Sequence, residues 1–203
     1  MDTQGLFDSK TTPADNSRIF SLGTLISSVQ IFKFFSVIEE TQLQYLQLAV
    51  DFASSAAKYN QNSSETKPFQ KLLFLIRDWC DPSLHPFGFK GGNSYIMELL
   101  TIQKNQHTTL KSFREFIFSS FDEKSCCLFP EPGKTIRVSS INDGSWSKME
   151  KDFIKELKFL IETILLPNKL VIKKLDNRET VAAELKNYFE KYLDAFKLDG
   201  NFH

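Results

Sequence analysis

The sequence predicts an α/β fold, helices packed on a parallel sheet, and three observations carry that prediction. Residues 68–81, PFQKLLFLIRDWCD, hold a continuous apolar run from Leu72 to Ile76 that closes on Arg77 and Asp78. A short apolar run with polar ends suits a strand buried on both faces. Residues 125–129, SCCLF, form a second, shorter run of the same kind. Around both, apolar residues recur at spacings of three and four, the stripe of a helix laid on a sheet. A chain of 203 residues suffices for one such domain and the start of a second.

Taken in order, residues 6–17 are polar around Pro13 and read as a loop, with Asn16 or Ser17 able to cap a helix. That helix is expected over residues 18–34, with Ile19, Leu22, Ile26 and Val29 inward. A second is expected over 39–59 on Leu43, Leu46, Val50, Ala53 and Ala57. Residues 60–67 read as a surface loop before the central strand. Residues 80–93 hold Pro82, Pro86, Gly88, Gly91 and Gly92 and read as a long loop, of a kind that is often functional.

Short helices are expected over 94–102 and over 107–121, the latter with Leu110, Phe113, Ile117 and Phe121 inward. The second strand ends in a loop at Pro130 to Gly133. Residues 146–165 read as one long helix on Trp146, Met149, Phe153, Leu157, Leu160 and Ile164, stopped by Pro167. Residues 170–175 can pair with 179–182 around Asp176-Asn177. A last helix, 181–196, carries Val181, Leu185, Tyr188, Tyr192 and Phe196, a stripe for which the sequence offers no evident partner.

Lys plus Arg balance Asp plus Glu at 25 each, which gives no support for nucleic acid or an anionic membrane as general partner. The 20 phenylalanines, many at core spacing on helices, are read as packing. Cys80, Cys126 and Cys127 have no framework or metal-ligand spacing, so a reduced cytosolic setting and a packing role for the adjacent pair are expected. None of the three histidines has a neighbour that recommends it as a catalytic base. No run of eighteen apolar residues exists, and the polar, acidic start is unlike a signal peptide.

Two short motifs carry chemistry. Asp2-Thr3-Gln4-Gly5 fits a strand-end carboxylate that holds Mg²⁺ through water, followed by a glycine whose N–H can approach a terminal phosphate. The loop behind it can then respond to that phosphate. At the central strand's carboxyl end, where ligands bind in open parallel sheets, Asp78 can accept both N–H donors of a guanine edge while Arg77 covers the base face. Taken alone, an Arg-Asp pair after a strand is commonly a surface ion pair.

Met1-Asp2-Thr3-Gln4-Gly5, Ser17-Arg18-Ile19-Phe20, Leu22-Gly23-Thr24-Leu25-Ile26-Ser27-Ser28, Gln44-Tyr45-Leu46-Gln47-Leu48, Pro68-Phe69-Gln70, Leu75-Ile76-Arg77-Asp78-Trp79, Gly91-Gly92 and Pro132-Gly133 occur in that order. Together they resemble the atlastins, dynamin-related GTPases of the guanylate-binding-protein superfamily, over nearly the whole chain. The resemblance implies a P-loop NTPase-like G domain that binds GTP or GDP with Mg²⁺. Asp2 would serve the metal and Gly5 the γ-phosphate. Arg77 and Asp78 would serve the guanine, and a cap at residues 129–133, with Pro132 and Gly133, would close over it. It also implies dimerisation through G domains, and tethering and fusion of endoplasmic-reticulum membranes from the cytosolic side.

The chain departs from that family in one large respect. No Gly-x-x-x-x-Gly-Lys-[Ser/Thr] occurs in the 203 residues, and with it the family's phosphate cradle, catalytic arginine and switch threonine are missing. The family's transmembrane segments are missing too. The resemblance therefore implies a partial G domain over residues 1–166, a linker and first middle-domain helix over 167–203, no catalytic residue, and no hydrolysis by this chain alone. The alternative is a non-catalytic interaction protein that dimerises with full-length relatives. The resemblance further implies that the missing phosphate-loop strand lies between the Asp-x-x-Gly strand and the Arg-Asp strand. Its loss would leave the Arg-Asp strand with an open, apolar, self-associating edge.

Overall fold

The computed structural model describes residues 12–60, 67–101, 108–138, 145–175 and 178–198. In order, these form helix α1 (Pro13–Ile26), strand β1 (Val29–Phe35), α2 (Glu40–Asn60), β2 (Phe69–Arg77), α3 (Gly88–Leu100), α4 (Thr108–Ser120), β3 (Phe121–Leu128), α5 (Lys134–Val138) and α6 (Lys151–Leu165). The two-residue strands β4 (Lys174–Leu175) and β5 (Arg178–Glu179) and the helix α7 (Ala182–Leu198) follow. The main sheet is parallel, in the order β1-β2-β3, with Phe34 beside Ile76 and Leu73 beside Ser125.

β2 is the centre, as its apolar run predicts, and its two faces enter two cores. Leu72, Phe74 and Ile76 join Phe32, Phe34, Cys126 and Leu128 under α1, α2, α3 and α4. Leu73 joins Cys127, Phe129 and Leu160, backed by Leu75, Phe153, Leu157 and Ile164, under α6. The buried phenylalanines lie mostly on or beside strands, at Phe32, Phe34, Phe69, Phe74, Phe121 and Phe129, rather than on helices as their spacing suggested. Burial drives the Cys126 thiol strongly upward and the Cys127 thiol up to about 12, so both pack as small apolar groups.

The helix expected over residues 18–34 is the principal correction. α1 stops at Ile26 and residues 29–35 are β1, the strand that flanks β2. The reason is local: VQIFKFF alternates, burying Phe32 and Phe34 and exposing Ile31, Lys33 and Phe35, and β-branched and aromatic residues suit a pleated surface. A helical stripe of Ile19, Leu22, Ile26 and Val29 spans the boundary by coincidence of spacing. The buried face of α1 is instead Phe20, Ser21, Thr24 and Leu25, with the Ser21 hydroxyl donating to the Ala49 carbonyl of α2 at 2.7 Å.

β1 also overturns the expected open edge on the Arg-Asp strand. β2 is paired on both sides. The far edge of β3 is covered by α3, whose Asn93 side chain accepts the Cys126 N–H at 2.8 Å. Among the described residues, β1 and β3 are the two edge strands of this sheet, and of the two it is β3 that has α3 against it.

Smaller differences follow the same logic. α3 begins at Gly88, inside the segment read as loop, because Gly91 and Gly92 serve close packing rather than a turn. β3 starts four residues earlier than expected, at Phe121. The expected helix from Trp146 is a 3₁₀ turn, Trp146–Lys148, followed by α6, and Trp146 is exposed. The stripe of α7 finds a partner in this chain: Tyr188 and Tyr192 join the core that contains Phe20 and Leu25 of α1.

The segment between α6 and the short β4–β5 hairpin is tied to the sheet. The Gln70 side chain donates to the Ile172 carbonyl at 2.5 Å and accepts the Lys174 N–H at 2.8 Å. Lys173 is buried and donates to the Ser27 carbonyl at 2.9 Å. Burial lowers its pKa to about 8. Below about pH 8 both folded and unfolded chains hold this charge, and the folded state bears a desolvation cost on the order of 3 kcal/mol. Between about pH 8 and the ordinary lysine value of 10.5, the folded state releases the proton first and stability from this group rises with pH. Urea unfolding across that window is expected to show a rise that Lys173→Met lacks.

Candidate functional site

The sheet's carboxyl end gathers the ends of β1, β2 and β3. Phe129 donates to the Ile76 carbonyl at 2.8 Å and accepts the Trp79 N–H at 2.8 Å. In a regular parallel ladder those two partners would be residues 76 and 78, so β2 carries one extra residue here, a bulge. Asp78 takes the left-handed conformation, φ 55°, that this requires, and aspartate tolerates it better than most residues. The bulge breaks the alternation of side chains, and consecutive Arg77 and Asp78 meet, Nη2 to Oδ2, at 3.4 Å. The Asp78 side chain is only 5% exposed, while that of Arg77 is 51% exposed.

Neighbouring groups hold this end in shape. The Ser36 N–H, just beyond β1, donates to the Arg77 carbonyl at 2.7 Å. Behind Asp78, the Trp79 indole N–H is shared between the Asp81 carbonyl at 2.8 Å and the His85 carbonyl at 3.0 Å. Its ring packs on Tyr95 and His85, with centroids 5.0 and 6.1 Å away. His85 is buried there with Nε2 3.4 Å from a Glu98 carboxylate oxygen, a structural position. Asp81 accepts from the Ser83 hydroxyl at 2.6 Å and the Leu84 N–H at 3.2 Å. These bonds hold its carboxyl below the usual range and close the turn after the strand.

The loop after β3 leaves beside Asp78 through the two Phe129 bonds. Its Pro132 carbonyl accepts the Glu150 N–H at 3.0 Å, which ties it to the start of α6. Gly133 has φ 118°, a value that a side chain would strain. The structure thus brings Arg77, Asp78 and the residue 129–133 loop to one end of the sheet. Asp2 and Gly5 lie outside the described residues. Sequence reading missed Ser36 and Phe35, since the helix expected over residues 18–34 hid the strand that ends beside them; the alternation of residues 29–35 was the available signal. It also missed the tethering role of Trp79.

Among the described residues no group of three His, Cys, Asp or Glu side chains is arranged to hold a metal, and no helix is long and apolar enough to cross a membrane.

The chain is 36% identical over 197 residues to atlastin-2 of Xenopus laevis, covering 97% of this chain and 34% of that protein. The same identity over the same length holds for atlastin-1 of Bos taurus, of which 35% is covered, and for human atlastin-2, of which 33% is covered. The chain thus spans about a third of the length of the curated relatives it matches. The family model for the guanylate-binding protein N-terminal domain matches residues 1–174. With the α/β fold and the strand-end Arg-Asp pair, that match over most of its length means the chain belongs to the guanylate-binding protein family.

Proposed function

We propose that this chain recognises a guanine nucleotide at the carboxyl end of its sheet, as part of an atlastin-type GTPase. The observation that carries the reading is the buried Asp78 carboxylate on a bulge, with the Arg77 guanidinium 3.4 Å from it. A carboxylate at a strand end is an acceptor for both N–H groups of a guanine edge, and adenine lacks that pair. Arg77, half exposed, can lie over the base, and the 129–133 loop with Pro132 and Gly133 can close on it. These groups fit the base.

Mg²⁺ and the γ-phosphate would be served by Asp2 and Gly5. The chemistry Mg²⁺ supplies is neutralisation of phosphate charge. Hydrolysis needs a phosphate cradle that these 203 residues do not carry, so the role argued for this chain is base recognition. In this reading residues 1–166 belong to the G domain, and residues 167–203 link it to a helical middle domain that begins with α7. By kinship with the atlastins, the activity served is tethering and fusion of endoplasmic-reticulum membranes through paired G domains.

A second reading is a non-catalytic protein that pairs with another copy or a longer relative. The exposed Ile31, Phe35 and Val37 at the β1 edge favour it, because an unpaired strand edge with apolar side chains invites pairing.

Fluorescent GDP and GTP titrated into this chain, with ADP and ATP as controls, test the first reading. Guanine selectivity is expected, and Asp78→Asn is expected to weaken guanine nucleotides by about tenfold or more while leaving adenine nucleotides unchanged. Equal binding of the two bases, or an indifferent Asp78→Asn, rejects it. Nucleotide-independent dimers in sedimentation would support the second reading instead.

A further inference from the structure

We propose that Phe35 is a positioning residue: its ring orients the Arg77 guanidinium over the base that Asp78 recognises. This rests on the guanine-binding reading above. Phe35 is the last residue of β1, and it is the register partner of Arg77 on β2. Partners on neighbouring strands project from the same face. The guanidinium carbon lies 5.8 Å from the Phe35 ring centroid, within cation–π range. Phe35 is 55% exposed, so the ring borders the open mouth of the site rather than the core.

The geometry shows why a holder is needed. The Arg77 side chain is long, half exposed, and touches Asp78 through one nitrogen at 3.4 Å, a loose contact. One such contact leaves the guanidinium plane free to turn. The aromatic face supplies the second restraint, and it acts on the plane itself. The backbone bond from Ser36 to the Arg77 carbonyl keeps the two strand ends in register. α6 covers Leu73 and Leu75 of β2, yet Ile31, Lys33 and Phe35 of β1 stay exposed on that face.

The test compares this chain with Phe35→Leu, Phe35→Tyr, Arg77→Met and Asp78→Asn, reading fluorescent GDP affinity, thermal midpoint and the Arg77 Nε–Hε NMR resonance. Phe35→Leu is expected to weaken GDP by about three- to tenfold, the scale of one cation–π contact, without moving the thermal midpoint. Phe35→Tyr should bind within about twofold of the parent, since tyrosine keeps the ring face. The Arg77 resonance should shift downfield when the ring current is removed, with or without nucleotide. Adding Phe35→Leu to Arg77→Met should cost little further. Unchanged GDP affinity in Phe35→Leu with a strong Asp78→Asn effect rejects the role of Phe35 alone. An indifferent Asp78→Asn, or no guanine binding by the parent, rejects the site reading and this role with it. A Phe35→Tyr variant as weak as Phe35→Leu, or an unshifted Arg77 resonance, overturns the proposal.

Discussion

Gly92→Ala is expected to destabilise the fold by more than about 3 kcal/mol. A Cβ at Gly92 would lie 2.2 Å from the Cys126 carbonyl oxygen and 2.5 Å from its carbon. Those are backbone atoms of β3, so no side chain can swing aside to make room. Either α3 or the strand must move, and the Asn93 bond to the Cys126 N–H, one residue away, would be lost with it. That bond and the close approach are what cap the far edge of the sheet. Urea unfolding monitored by circular dichroism checks the effect. A shift in midpoint with an unchanged denaturant slope would locate the loss in the folded state. A loss below about 1 kcal/mol would mean that α3 does not sit on the β3 backbone as closely as the geometry requires.

Trp79→Ala is expected to cost about 3 to 5 kcal/mol, and it should also disorganise the recognition end. The indole is buried, packs on Tyr95 and His85, and shares one N–H between two loop carbonyls. Removing it opens a large cavity and leaves the Asp81 and His85 carbonyls without that donor. Asp78 is the preceding residue and holds a left-handed conformation, which persists only where surrounding contacts over-determine it. Trp79→Phe separates the two contributions: it retains most of the packing and loses the hydrogen bonds. Its stability loss is expected to be about 1 to 2 kcal/mol, accompanied by weaker guanine nucleotide binding. Full guanine affinity in a folded Trp79→Ala variant would show that the bulge holds without its tether.

The sequence alone reveals the central strand, because a fully buried parallel strand must be apolar on both faces and LLFLI is. It also determined the helix at α2, whose stripe of Leu43, Leu46, Val50 and Ala53 is buried as its spacing predicts. The Arg-Asp pair and the residue 129–133 loop stood out as a candidate site for a similar reason. Polar and turn residues directly after apolar strands have little to do but end the strand or meet a ligand.

The rest emerges only from the packed fold. β1 was hidden because Ile19, Leu22, Ile26 and Val29 satisfy a helical period, and only the pairing with β2 turns VQIFKFF into a strand. That one reassignment moved the open edge from β2 to β1 and brought Phe35 beside Arg77. The bulge at Asp78 leaves no mark in composition, since it exists only as a mismatch between two strands. Gly91 and Gly92 read as turn residues until a strand backbone is found against one of them. Period and composition report what a residue tolerates. Which neighbour it meets is set by long-range pairing, and at the carboxyl end of this sheet the neighbours make the proposed site.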